Sequence, residues 1–368
     1  NPTPGGYDWS VIDAQLEAAR LVTVTLSSGV VISQPLVLQV LPHLHSLPGW
    51  EGVLFYDATP TWVYDEIDGQ HPETLRPLAN GRKVGYLLEG CDTYAVMPMY
   101  DSDTWQQCYF ECVQALGTRY DDEPLITTVI ANTGLDGETQ PIKDYGCTWN
   151  KIMDQTLGLG MRYSDFPQYM KHAMDAYRAA FPHTALFVDA APGGGSIRRT
   201  AAEHAASLNP PIGLKNSAMR PDIDIHQGYG TYVGIGATLE QHSMTLPIWL
   251  ESVNGLGDAA NNYWSLLAGL HYHPDAMDLH PEYWSVTAPE ILGWVNAHLG
   301  RSIEDTPSVW TAFRDHDPRW PRKDWGGGGC SGKMGDWTFW LYRVPGPAGE
   351  TMRLLKEALP AAAQGMQS

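Results

Sequence analysis

Two glutamates occupy positions from which carboxylates do chemistry. Glu138 follows the apolar run Leu125 to Ala131 through Asn132-Thr133-Gly134-Leu135-Asp136-Gly137, and Glu251 stands directly after Leu246-Pro247-Ile248-Trp249-Leu250. Each run reads as a buried strand, and in a parallel barrel the C-terminal strand ends are where active sites are built. Neighbouring carboxyl groups push their pKa values apart, which supplies an acid and a nucleophile from one residue type. At a separation of about 5–5.5 Å such a pair supports a two-step displacement at one bond. A lone Glu at a strand end is most often a loop ion pair or a helix cap. Two of them, in Gly- and Trp-flanked settings, favour the chemical reading.

Helices and strands must alternate to place them. Residues 7–20 read as a helix, capped by Asp8, with Trp9, Ile12, Leu16 and Ala19 at helical spacing. A hairpin around Ser27-Ser28-Gly29 leads to a strand at 36–41. Further strands are expected at about 94–98, 125–131, 185–188, 212–216, 246–250 and 276–279. Helices are expected at 105–120 and near 167–180, 196–207, 234–243 and 258–270. Apolar strands alternating with helices call for a parallel sheet covered by helices, and a barrel is its natural closure. The expected fold is therefore α/β, a (β/α)8 TIM barrel over residues 1–299. Seven strands are counted where eight are needed, and the missing one is expected to be the first, lying before Asn1 or supplied from elsewhere. Residues 300–368 differ in character: Gly- and Pro-rich around 320–335, then the strand-like Trp337 to Arg343, they read as a short C-terminal β extension.

Composition narrows the partners. Of 368 residues, 23 are Lys or Arg and 42 are Asp or Glu, a formal net charge of −19 that repels phosphate backbones and anionic lipid surfaces. Nucleic acid is not an expected partner. No apolar stretch approaches the roughly 18–20 residues that span a bilayer. The five cysteines are odd in number and scattered, so they form no disulfide framework and leave the redox compartment open. Fourteen Trp and 18 Tyr beside 7 Phe favour half-wet clefts, since these rings carry a polar handle.

The run Tyr7-Asp8-Trp9-Ser10-Val11-Ile12-Asp13, the strand Leu36-Val37-Leu38-Gln39-Val40, and Ala115-Leu116-Gly117-Thr118-Arg119-Tyr120-Asp121-Asp122-Glu123-Pro124-Leu125 before the strand leading to Glu138 resemble clan A glycoside hydrolases, the family 42 β-galactosidase type in particular. The likeness spans roughly residues 1–290. It implies a barrel whose acid/base Glu follows strand four and whose nucleophile Glu follows strand seven, placing these roles on Glu138 and Glu251. It also implies a carbohydrate substrate and no cofactor. One departure stands out: clan A has Asn directly before the acid/base Glu, in contact with the sugar 2-hydroxyl, and this chain has Gly137. Asn132 is the substitute candidate. The Gly-Glu pair is also similar to the acid segment of inverting β-amylases, so the stereochemical outcome stays open.

Tyr229, in His226-Gln227-Gly228-Tyr229, is the counterpart of the clan A tyrosine that orients the nucleophile. Trp62 and Trp284 are candidates for stacking on sugar rings, and Asp57 and Asn254, on expected mouth loops, for hydrogen bonds to hydroxyls. Lys215 and Arg220 are a candidate basic patch. Gly327 to Met334 has P-loop spacing through Lys333, but Met334 stands where Ser or Thr is required. The pairs His43/His45 and His271/His273 lack a carboxylate or Cys set at metal spacing, and Cys108/Cys112 read as packed thiols, so no metal site is expected.

The expected activity is cleavage of a glycosidic bond by a retaining mechanism. The rivals are a noncatalytic carbohydrate-binding protein on the same barrel, with the two Glu in structural ion pairs, and a metal-dependent hydrolase with His and carboxylates converging at the mouth. The sugar, the linkage, endo or exo action and the oligomeric state are not legible. Location is also open, with a secreted or cell-surface setting favoured over the cytoplasm.

Overall fold

The computed structural model describes residues 5–25, 29–41, 43–44, 56–57, 60, 62–63, 85–88, 93–96, 100, 103–140, 165–190, 195–217, 219, 235–252, 262, 265–266, 269–270, 272–287, 289–300, 323–324, 336–346 and 349–358. Its elements, in chain order, are α1 (Ser10–Leu21), β1 (Thr23–Thr25), β2 (Val31–Ser33), β3 (Leu36–Gln39), β4 (His43–Leu44), β5 (Tyr56–Asp57), β6 (Gly85–Leu88), β7 (Thr93–Val96), α2 (Asp103–Tyr120), β8 (Ile126–Ala131), α3 (Phe166–Ala180), β9 (Ala185–Asp189), α4 (Gly195–Ser207), β10 (Gly213–Asn216), α5 (Ile235–His242), β11 (Ile248–Glu251), β12 (Ala276–Asp278), α6 (Pro281–Val286), α7 (Pro289–Ala297), β13 (Lys323–Asp324), β14 (Asp336–Gly346) and β15 (Gly349–Ala358).

The fold is α/β. One sheet takes β3, β8, β9, β10, β11 and β12 in chain order, with parallel registers at β3/β8, β8/β9, β10/β11 and β11/β12. Chain order without a reversal is the singly wound order of a (β/α) barrel, whereas a doubly wound sheet reverses at a switch point. The strands read as such because β9 and β10 are buried almost throughout, as strands covered on both faces are.

The expected strand at 94–98 is a correction. Thr93–Val96 pairs antiparallel with Gly85–Leu88 in a separate two-stranded sheet, and β3 lies directly beside β8. The reason is local: β6 offers β7 a partner only a few residues away, so the loop to be closed is short. At the other end of the chain, β14 and β15 pair along their length and β13 joins β14.

The chain divides into two compact units: residues 1–189 with 203–212, and residues 190–202 with 213–368. In the first, Asp8 accepts from Ser10 N–H (2.9 Å) at the start of α1. Helices α2 and α3 pack through an aromatic cluster. Trp105 stacks on Tyr109 at 5.0 Å, Tyr100 meets Trp105 edge-on at 5.6 Å, and Tyr169 lies 4.8 Å from Tyr100. Tyr109 and Tyr177, both buried, share a hydroxyl contact of 3.0 Å. Burial pushes the Tyr177 hydroxyl up to about 12, so it remains a neutral hydrogen-bonding group at ordinary pH.

The close approach of α2 to α3 depends on Gly117, where a Cβ would overlap the Ala180 carbonyl. Gly117→Ala is expected to lower stability by about 1–3 kcal/mol through overpacking. A fall in the urea midpoint at unchanged m value is the measurement that checks it.

Candidate active site

In the first unit the chain leaving β8 is bound at each step. Asn132 is 1% exposed, and both ends of its amide are committed to backbone: Nδ2 donates to Val40 O (2.9 Å) beyond β3, and Oδ1 accepts from Gly134 N–H (3.2 Å). Its own carbonyl accepts from Tyr109 Oη at 3.1 Å, which ties the strand end to the aromatic core. A single 3-10 turn, Leu135–Gly137, then reverses the chain, with Asp136 at φ 55° and Gly137 at φ 82°. Thr133 Oγ1 donates to Glu138 O (3.3 Å), Glu138 forms a parallel bridge with Asp189 at the end of β9, and Thr139 N–H donates to Asp189 O at 2.9 Å. Glu138 is thus half-buried at the C-terminal strand edge, and its Oε2 accepts from Gln140 Nε2.

This loop gives a reason for glycine at position 137. Residue 137 has a left-handed φ, and a Cβ there would overlap the Gln39 amide and come within 2.9 Å of Leu41 Cδ2. The left-handed φ is what favours glycine here, and the Gln39 side chain, from the last residue of β3, adds a steric cost that its own movement can relieve. Sequence reasoning passed over Gln39; its signal was a polar residue closing the apolar run Leu36-Val37-Leu38.

In the second unit three adjacent strands carry ionisable groups near their C-terminal ends: Lys215, next to last on β10, Glu251, last on β11, and Asp278, last on β12, with Glu251 and Asp278 in register. Lys215 is a correction to the expected basic patch. Its side chain is 9% exposed and its ammonium forms an ion pair with Glu251 Oε2, while Arg220 lies outside the described residues. Ser217, two positions on and hence on the same face of the strand, donates to the same oxygen at 3.2 Å. The main chain of Glu251 is held as well, accepting from Met219 N–H at 3.0 Å. Ser252 donates to Asp278 O through both N–H (2.9 Å) and Oγ (3.3 Å), and its Oγ accepts from His280 N–H (2.8 Å). Asp278 keeps an exposed face, yet its carboxyl sits above the usual carboxylate range. Surrounding protein withdraws water from it and the negative charge of Glu251 lies beside it, with Lys215 pulling the other way.

The remaining candidates are scattered. Trp62 is half-buried in a helical turn at 62–63, Trp284 on α6 is 65% exposed, and the backbone of Asp57 pairs with His43 across β4 and β5. Tyr229 and Asn254 lie outside the described residues, as do His45, His271 and Gly327 to Met334. Cys108 and Cys112 are half-buried thiols outside any disulfide. Among the described residues, potential metal-ligand atoms lie within 4.8 Å of one another at Asp121, Asp122 and His183. That group is just before the start of β9, at the opposite end of the strand from the Asp189 bridge to Glu138, and Asp121 is taken up by the N–H groups of His183 and Thr184.

No family model matches the chain, and no curated protein matches it. Solved structures with a similar course include a psychrophilic glycoside hydrolase family 10 endo-β-1,4-xylanase, with a TM-score of 0.38 at 12% identity over 76% of this chain and 72% of the other. The β-galactosidase from the psychrophilic Marinomonas ef1 gives 0.38 at 13% identity over 75% of this chain, which spans 47% of that one. GH10 from Paenibacillus barcinonensis gives 0.34 at 14% identity, over 75% and 71% of the two chains.

Two outcomes follow from the geometry. Gly137→Asn is expected to destabilise by about 1–3 kcal/mol, and Gln39→Ala in the same chain to recover the steric part, measured as a coupling energy in a double-mutant cycle. For Asp278 the native state holds a proton that the unfolded chain has released, so stability falls as pH rises from the ordinary Asp range through the raised native value. Asp278→Asn is expected to flatten that slope on the alkaline side of the ordinary Asp range, read from urea midpoints at a series of pH values.

Proposed function

We propose that the chain is a glycoside hydrolase acting by retention, with Glu251 as nucleophile and Glu138 as acid/base. One observation carries this reading: two glutamates, Glu251 closing β11 and Glu138 bridged to the end of β9 after the loop that leaves β8, each partly open to solvent, are each held through Oε2 by a side-chain donor. A carboxylate held by one oxygen keeps its direction without being enclosed, which is what a group that must meet substrate needs. Glu251 attacks the anomeric carbon while Glu138 protonates the departing glycosidic oxygen. Glu138, now ionised, takes a proton from water, which attacks the same carbon and releases Glu251. The family 42 type is the nearest expectation from the sequence motifs, and a neutral or weakly charged glycan suits the net charge of −19.

The noncatalytic carbohydrate-binding reading has one observation on its side, since Glu251 does sit in an ion pair. Against it, the Glu251 side chain retains 29% of its exposure, whereas a purely structural pair has no need of an open carboxylate. The test is hydrolysis of a panel of aryl glycosides and oligosaccharides by the wild type, Glu138→Gln and Glu251→Gln, each shown to be folded. Glu251→Gln is expected to be inactive. Glu138→Gln is expected to lose about 10²–10⁴-fold on poor leaving groups and far less on dinitrophenyl glycosides, which leave without a proton. Equal rates for all three proteins would remove the assigned roles, and binding of a glycan without cleavage would favour the noncatalytic reading.

A further inference from the structure

We infer that Lys215 and Ser217 are positioning residues that clamp Oε2 of Glu251 and leave Oε1 as the oxygen that attacks. The inference rests on the proposed function, and the geometry lies wholly within the second unit. Both donors come from the end of one strand, at positions two apart on its same face, and both close on one oxygen of the neighbouring strand's carboxylate. Lys215 Nζ also approaches Ser217 Oγ at 3.5 Å, so ammonium, hydroxyl and carboxylate oxygen form one cluster. Among the described residues Oε1 accepts no hydrogen bond.

The two oxygens of an isolated carboxylate are equivalent, and rotation about the last side-chain bond exchanges them. A charge-assisted bond to one oxygen removes that freedom. The clamped oxygen keeps its lone pairs engaged and its negative charge compensated, and the other carries the available lone pair. In the displacement, Oε1 forms the new bond to the anomeric carbon as the bond to the leaving oxygen breaks. Oε2 becomes the carbonyl oxygen of the resulting ester, still facing the ammonium. When water attacks the anomeric carbon, the ester C–O electrons return to Oε1 and the clamp restores the ion pair. Lys215 itself does not attack, because an ammonium in an ion pair has no lone pair to give.

The backbone supports the same division of labour. Met219 N–H bonds the Glu251 carbonyl, so the chain that follows Lys215 and Ser217 grips this residue at main chain and side chain together. The clamp therefore moves with the strand end rather than with a separate loop.

The test uses the full chain, the panel's best-cleaved 2,4-dinitrophenyl glycoside and its 2-deoxy-2-fluoro counterpart, whose glycosyl-enzyme accumulates and is read by intact mass and peptide mapping. Wild type is expected to be labelled on Glu251. Lys215→Met is expected to label the same residue about 10²-fold more slowly, with KM for the dinitrophenyl glycoside little changed, and Lys215→Arg to recover part of the rate. Ser217→Ala, a milder change that keeps the ion pair, is expected to slow labelling by a smaller factor. Wild-type labelling rates in both Lys215→Met and Ser217→Ala would overturn the clamp while leaving the glycosidase reading intact. No cleavage and no labelling by the wild type on any sugar of the panel would overturn that reading and the clamp with it.

Discussion

The second unit depends on what is done with one buried charge. Lys215 lies on a strand whose four residues are all buried, where an unpaired ammonium would cost several kcal/mol in lost hydration. At the strand end Glu251 from the next strand and Ser217 just beyond its own meet it. Satisfying that charge fixes a carboxylate at the sheet edge and orients it. The neighbouring Asp278 then feels the field of the pair, and the attraction of Lys215 only partly relieves the repulsion from Glu251.

The first unit reaches a similar end without charge. Its glutamate is presented by a backbone knot: the Asn132 amide bonded in two directions, the Tyr109 hydroxyl on the Asn132 carbonyl, and the parallel bridge between Glu138 and Asp189. These are buried polar groups that must be satisfied in any fold, and here each is satisfied by fixing the loop that carries Glu138. The stacked rings of α2 and α3 stand behind that loop, so packing far from the carboxylate sets its position.

Periodicity and burial made most elements legible. Trp105, Tyr109, Val113 and Leu116 recur on one helical face because that face meets α3, and the apolar runs at 126–131 and 185–189 read as strands because both faces are covered. The pairing of Thr93–Val96 was not legible, since periodicity says that a segment is extended and nothing about which neighbour it prefers. Glu138 and Glu251 could be singled out by where their strands stop. Their partners could not: Lys215 reads equally as a surface cation, and only a strand of known burial and the residue two places on reveal that it faces inward toward a carboxylate. Asn132 reads as a sugar ligand by its chemistry, while the fold engages its amide with backbone.

Gln39 and Gly137 come from segments about a hundred residues apart yet compete for one volume at the mouth of adjacent strands. The two positions are therefore a linked pair in any lineage that keeps this geometry. A side chain at 137 calls for the Gln39 amide to move aside and for a left-handed backbone to open into an ordinary one. The polar group that stands before Glu138 is therefore an amide from another strand, brought there by register rather than by sequence neighbourhood.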